Sequence, residues 1–184
     1  MLIDGSHPYA NSLHETCVRV AEDTGIPLIR YERNNIKIND VRIFYADNYQ
    51  EAGERAMRGH NIFITTGIKH IECLKNIMDE RNVYVRIIPD PENIKFLIKM
   101  GVKKDHIIAM EGNFDENLNR ALMEYYMIDT LITKDSGFNA EPKIRAAISL
   151  DINVIIISRK NFQWKLKAEN AMEIKKILND MGIK

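Results

Sequence analysis

Val154-Ile155-Ile156-Ile157 is an unbroken run of β-branched apolar residues, and it narrows the fold more than any other stretch of the chain. A strand with one face in water alternates polar and apolar side chains, whereas a strand apolar at every position must be covered on both faces. The same texture recurs at Ile62-Phe63-Ile64, Val83-Tyr84-Val85-Arg86-Ile87-Ile88, Ile107-Ile108-Ala109-Met110 and Leu131-Ile132. Helix-length amphipathic segments separate these runs. Such alternation specifies an α/β fold, a Rossmann-like doubly wound parallel sheet.

Taken in order, Leu2-Ile3-Asp4 reads as a strand running into the turn Gly5 to Ala10. Asn11 to Thr24 reads as a helix with Leu13, Cys17, Val20 and Ala21 on its inner face. Gly25 and Pro27 stop that helix, and Pro27 to Arg33 is the next strand. The polar stretch Asn34 to Asp40 has no sustained period and is expected to cross between two lobes. Residues 1–38 are then the remnant of an N-terminal Rossmann-like lobe, incomplete because Met1-Leu2-Ile3-Asp4 opens in mid-strand. Residues 39–184 form a C-terminal α/β lobe, whose terminal helix, Ala168 to Met181, could pack on either lobe. Asp47 is expected to cap a helix closed by Gly59, and Asp115 one that runs to Met127. Ile68 to Glu80 and Glu92 to Met100 are the helices between.

The 26 basic and 26 acidic residues cancel. No overall field favours nucleic acid or an anionic membrane, so an anion site must be local. Cys17 and Cys73 lie in helical patterns without CxxC spacing, which points to reduced core thiols, a cytoplasmic setting and no zinc site. No run approaches the length of a membrane span, and no secretory signal opens the chain. GxGxxG, P-loop, HExxH and GxSxG motifs are all absent. Oligomeric state is not legible.

Polar clusters fall at the expected carboxyl ends of the strands. They are Ser6-His7-Pro8-Tyr9, Thr65-Thr66-Gly67, Glu111-Gly112-Asn113, Lys134-Asp135-Ser136-Gly137 and Ser158-Arg159-Lys160. That edge of an open α/β sheet is where ligands bind, so the five are expected along one rim. Thr66-Gly67 fits either a plain helix cap or a contact to a phosphate or carboxylate at a helix start. His7, held extended by Pro8, fits a structural or a catalytic role. Lys134, directly after Leu131-Ile132-Thr133, reads as an anion contact at the sheet edge. Lys143 and Arg145 read, by pattern, as a solvated helix face. Pattern thus reaches a protein binding a small anionic ligand.

The segments Ile3-Asp4-Gly5-Ser6-His7-Pro8-Tyr9-Ala10, Gly25-Ile26-Pro27-Leu28-Ile29-Arg30, Thr65-Thr66-Gly67 and Ile132-Thr133-Lys134-Asp135-Ser136-Gly137, with Lys143 and Ala146-Ala147, resemble the precorrin-6A reductase family of corrin-ring biosynthesis. Ser6 stands where that family usually has threonine, Asn113 where its Gly-Pro-Phe turn has proline, Phe138 where it has a second glycine, and Lys160 where proline follows the arginine. Phe138 restricts a loop that glycine leaves free. The family's upstream βαβ unit, with a glycine-rich turn for a dinucleotide pyrophosphate, has no counterpart here.

The resemblance implies NADPH-dependent reduction of precorrin-6A, or of its cobalt complex, to the 6B form, with the tetrapyrrole-derived ring as partner. It implies Arg86, Lys134, Lys143 and Arg159 as anchors for the ring's carboxylates. Ser6, Thr66, Gly67, Ser136 and Gly137 would serve NADPH, and His7 and Tyr9 the proton. No protein-held metal is implied, since any cobalt arrives with the substrate. A corrin-precursor binding protein, half of a split reductase, and an unrelated α/β enzyme taking an anionic nucleotide are the other readings.

Overall fold

The computed structural model describes residues 1–32, 38–137 and 140–182. Most of the expected crossing at Asn34 to Asp40, the end of the strand expected to reach Arg33, and Phe138 lie outside the described residues. The chain forms two compact units. One comprises Met1–Asn35, Ser136–Phe138 and Arg159–Lys184, the other Ile36–Asp135 and Asn139–Ser158.

The first unit carries a parallel sheet of three strands, β1 (Leu2–Asp4), β2 (Leu28–Tyr31) and β9 (Leu166–Ala168), with β2 in the middle. Helix α1 (Asn11–Thr24) joins β1 to β2 and ends at Gly25, whose φ of 69° is the left-handed geometry that glycine supplies without strain. Helix α7 (Ala171–Asp180) follows β9, capped by the Asn170 side chain.

Two expectations fail here. Residues 159–184 belong with the N-terminal residues and not with a lobe 39–184, because β9 pairs with β2 in the register Ile29–Leu166, Arg30–Lys167 and Tyr31–Ala168. The inner face of α1 is also turned by one residue. His14 is buried, with Cys17, Val18 and Ala21 partly covered along the same stripe, while Leu13 and Val20 are exposed. The physical reason is polar: His14 bonds a buried carboxylate, and leaving that group unpaired costs more than exposing a leucine.

The second unit is a six-stranded parallel sheet. Its strands are β3 (Ile43–Ala46), β4 (Asn61–Ile64), β5 (Asn82–Ile87), β6 (Ile107–Ala109), β7 (Thr130–Lys134) and β8 (Asn153–Ile157), in the spatial order β3-β8-β7-β4-β5-β6. The central strands are the apolar runs read from the sequence, buried at nearly every position. Phe63, Leu131, Ile144, Ala147, Val154 and Ile156 knit sheet and helices into one core.

Its helices are α2 (Tyr49–Ala56), α3 (Lys75–Glu80), α4 (Pro91–Lys99), α5 (Glu116–Tyr125) and α6 (Glu141–Ser149). Asp90 and Asp115 cap α4 and α5 through their side chains, and α2 is capped by Asn48 rather than Asp47. The expected helix Ile68 to Glu80 is shorter. A 3-10 turn at Ile71–Leu74 precedes α3, burying Ile71 and Leu74 and leaving Cys73 exposed, so Cys73 is not a core thiol. A three-residue period explains this, since residues i and i+3 share a face.

Gly59 lies against the start of β7. A methyl added there would strike the Thr130 hydroxyl and the Asp129 carboxylate, and that carboxylate accepts the His60 and Asn61 N–H groups at 2.8 and 3.0 Å. Gly59→Ala is expected to destabilise this unit by about 1–3 kcal/mol through overpacking, read as a lower denaturation midpoint in urea.

Candidate functional site

Strand order fixes the site of the second unit. From β4 the chain steps outward through β5 to β6, then returns to the other side of β4 to lay down β7 and β8. The sheet therefore switches direction between β4 and β7, and at such a point the helices diverge and leave a crevice beyond the carboxyl ends of the strands. Thr65-Thr66-Gly67 follows β4, and Lys134 closes β7.

Three cations gather here. Arg86, near the end of β5, is buried and donates to Asn119 Oδ1 at 2.9 Å, with its guanidinium over the rings of Phe114 and Phe63. Among the described residues no carboxylate pairs with it. Burial pushes Arg86 down to about 10. Lys143, in the first turn of α6, is lowered to about 7, first by burial and then by the charges of Arg86 and Lys134. Lys134 is lowered to about 8 by burial and by Lys69, and its Nζ lies 5.8 Å from the Tyr49 ring centre. Burial also pushes the Tyr49 hydroxyl up to about 12. Lys143 is thus no solvated residue, as helix pattern alone had it; its field reaches Arg86 and Lys134. Arg145, two residues on, is spent on Glu141.

Cations crowded together in a half-dry site, two of them without carboxylates among the described residues, are an unfinished ion pair. An oxyanion is the chemical group that would complete it. Gly67 adds backbone access: its φ is 77°, and a side chain there would meet nothing within 4 Å. Thr66 is buried beside it. A groove of about 660 Å³ lined by Lys69, His70, Glu92, Phe96 and Lys99 lies on the Lys69 side.

The expected single rim is not formed, because the Ser6 cluster follows a strand of the other sheet. Ser6 spends its hydroxyl on Asp4 Oδ1 at 2.6 Å. Asp4 also meets His14 Nδ1 at 2.6 Å and Arg30 Nη1 at 3.0 Å, with all three side chains almost wholly buried. Burial pushes the Asp4 carboxyl up, but the Ser6 hydroxyl and N–H, His14 and Arg30 outweigh it and hold it below the usual carboxylate range. His7 is exposed; its Nδ1 accepts the Tyr9 N–H at 3.3 Å, and the two rings lie 5.9 Å apart. Arg159 stands 3.7 Å from Glu32. Ser136 and Gly137 fall with the first unit, Lys134 and Asp135 with the second. Glu111, Gly112 and Asn113 are exposed. Reading from sequence missed Asp4, His14 and Arg30, although Asp4 at a strand end and Arg30 inside an apolar strand were the available signals.

The fold and the crevice define a Rossmann-like α/β protein with a cationic crevice at the sheet's switch point. The family model for Precorrin-6x reductase CbiJ/CobK matches residues 1–181, and the chain belongs to that family of oxidoreductases. It is 36% identical to the cobalt-precorrin-6A reductase of Methanococcus maripaludis, over 98% of this chain and 73% of that protein. It is 28% identical to the enzyme of the same name from Methanocaldococcus jannaschii, over 100% of this chain and 73% of the other. A solved CobK precorrin-6A reductase shares the fold, with a TM-score of 0.84 at 21% identity, covering 99% of this chain and 73% of that one.

Proposed function

We propose that the chain reduces precorrin-6A or cobalt-precorrin-6A to the corresponding 6B form with NADPH, as a cytoplasmic step of cobalamin synthesis. The observation that carries this reading, within the family, is the trio Arg86, Lys134 and Lys143 at the switch point, with carboxylates missing from Arg86 and Lys143 among the described residues. A macrocycle bearing acetate and propionate arms brings the counter-charges that such a site lacks.

NADPH, when bound, supplies the hydride. The residues fit a phosphate-bearing ligand, since the open backbone at Gly67 admits close approach and Thr66 stands next to it. Ser6, Ser136 and Gly137 are assigned to the same cofactor in the first unit. Arg86, Lys134 and Lys143 hold carboxylates and fix the ring's orientation, with Arg159 assigned the same task. His7, exposed and carrying a titratable ring, is the proton source, with Tyr9 bracing it through the backbone N–H.

Anaerobic incubation with NADPH and cobalt-precorrin-6A tests this, with the Methanococcus maripaludis relative as positive control. Loss of absorbance at 340 nm together with a product two mass units heavier is the expected result. Ring binding without NADPH oxidation would leave a binding protein, and neither binding nor oxidation would end the corrin reading.

A further inference from the structure

Counted from β4, the strands of the second unit lie in the order β6-β5-β4-β7-β8, with β3 in the sixth place. This is the 3-2-1-4-5-6 arrangement of a dinucleotide-binding sheet, in which the turn after the first strand holds the pyrophosphate and the adenosine ribose is met beyond the second. Here the first strand is β4, followed by Thr65-Thr66-Gly67, and the second is β5. The groove of about 660 Å³ occupies that position. It lies between Ile68, Lys69 and His70, which follow β4, and Asn93, Phe96 and Lys99 of α4, the helix after β5. Lys69 stands close enough to Lys134 to bear on its proton, and the His70 ring lies 5.6 Å from that of Tyr49, so the groove adjoins the switch point.

A sheet of this order that takes a ribose without a phosphate places a carboxylate at the end of its second strand, where it accepts from the 2′-hydroxyl. β5 ends instead at Ile87, followed by Ile88 and Pro89. The first carboxylate beyond it, Asp90, caps α4 by accepting from the Glu92 and Asn93 N–H groups at 3.0 Å each. Within the groove Glu92 is answered by Lys95 at 2.6 Å. Glu72 is the carboxylate left, against Lys69 and Lys99, neither of which has an ion pair among the described residues. The balance is cationic by one charge. Phe96, 40% exposed, offers a flat apolar surface of the kind on which a purine base stacks.

We infer that this groove holds the adenosine end of NADPH, with the adenine against Phe96 and the 2′-phosphate on Lys69 and Lys99, and that these two lysines set a preference for NADPH over NADH. The inference deepens the reductase reading, and rests on it for the identity of the ligand. Its test needs neither substrate nor turnover, so the two can fail separately.

The protein is titrated calorimetrically, at ionic strength held constant with KCl, with adenosine 2′,5′-bisphosphate, with its 3′,5′ isomer of equal charge, and with AMP. The 2′,5′ compound is expected to bind saturably and about tenfold more tightly than either of the others. Lys69→Gln and Lys99→Gln, both at exposed side chains that leave the core intact, are each expected to weaken its binding about tenfold and to narrow its advantage over AMP. Phe96→Ala is expected to weaken all three ligands together. Lys176→Gln, on α7 of the first unit, is expected to change none of them. No saturable binding of the 2′,5′ compound, equal affinity for its isomer, or undiminished affinity in both lysine variants would overturn the site, even if NADPH oxidation proceeds. The expected pattern without any turnover of the corrin substrate would keep the groove and remove the reductase reading.

Discussion

Asp4→Ala is expected to lower the stability of the first unit by about 3–5 kcal/mol, the penalty for removing one partner of a buried ion pair and leaving the other behind. The side chains of Asp4, Arg30 and His14 are all almost fully buried, and Asp4 answers both of the others while accepting from Ser6. With the carboxylate gone, Arg30 keeps only the carbonyls of Asp4 and Ser6 as acceptors among the described residues. Asp4→Asn, which retains a hydrogen-bonding side chain without charge, is expected to lose less. Because the folded state holds Asp4 below its ordinary carboxylate range, its contribution is present above that range and fades as pH falls through the folded value. Urea unfolding followed by Trp164 fluorescence, at neutral and acid pH, measures both effects. Equal midpoints for wild type and Asp4→Ala at neutral pH would refute the account.

Lys143→Met is expected to act in opposite directions on stability and turnover. In the ligand-free protein Lys143 titrates at about 7 instead of its ordinary 10.5. The folded state therefore resists its protonation, and between those two values the unfolded chain binds the extra proton. Stability rises with pH across that window, and methionine removes the handicap. The variant gains about 0.5–2 kcal/mol, most at or below pH 7 and progressively less toward pH 10.

Turnover falls instead. Losing one charge-assisted contact to a carboxylate costs about 1.5–3 kcal/mol, roughly 10- to 100-fold in kcat/KM. In the wild type, kcat/KM should decline as pH rises through the range of about 7 to 8 in which Lys143 and Lys134 lose their protons. In Lys143→Met the limb near 7 should be gone. A variant less stable than wild type and unchanged in kcat/KM would remove Lys143 from the site.

The apolar strands of the second unit were legible because parallel strands buried on both faces leave no choice of residue type. Legible too were the caps at Asp115 and Gly25 and the lysine at the end of β7. Strand β9 was not. Leu166-Lys167-Ala168 is short and carries a lysine among its three residues, and its place beside β2 is set by a partner far off in sequence. The Asp4–His14–Arg30 cluster was hidden for a related reason. Amphipathic periodicity puts Leu13 and Val20 inside α1, and only the location of a buried carboxylate turns the helix to favour His14. Lys143 failed in the same way, since helical spacing shows which face it occupies but not that Arg86 and Lys134 stand before it.

The return of the chain to the first sheet also governs the order in which the two sheets can be completed during synthesis. Residues 36–158 supply every strand of the second unit and can fold as they emerge. In the first sheet β2 must wait for β9, which arrives beside it only after every strand of the second unit has been made. During synthesis one edge of β2 is therefore uncovered for most of the chain's length, and a nascent chain halted before Leu166 carries a complete second unit and an unfinished first.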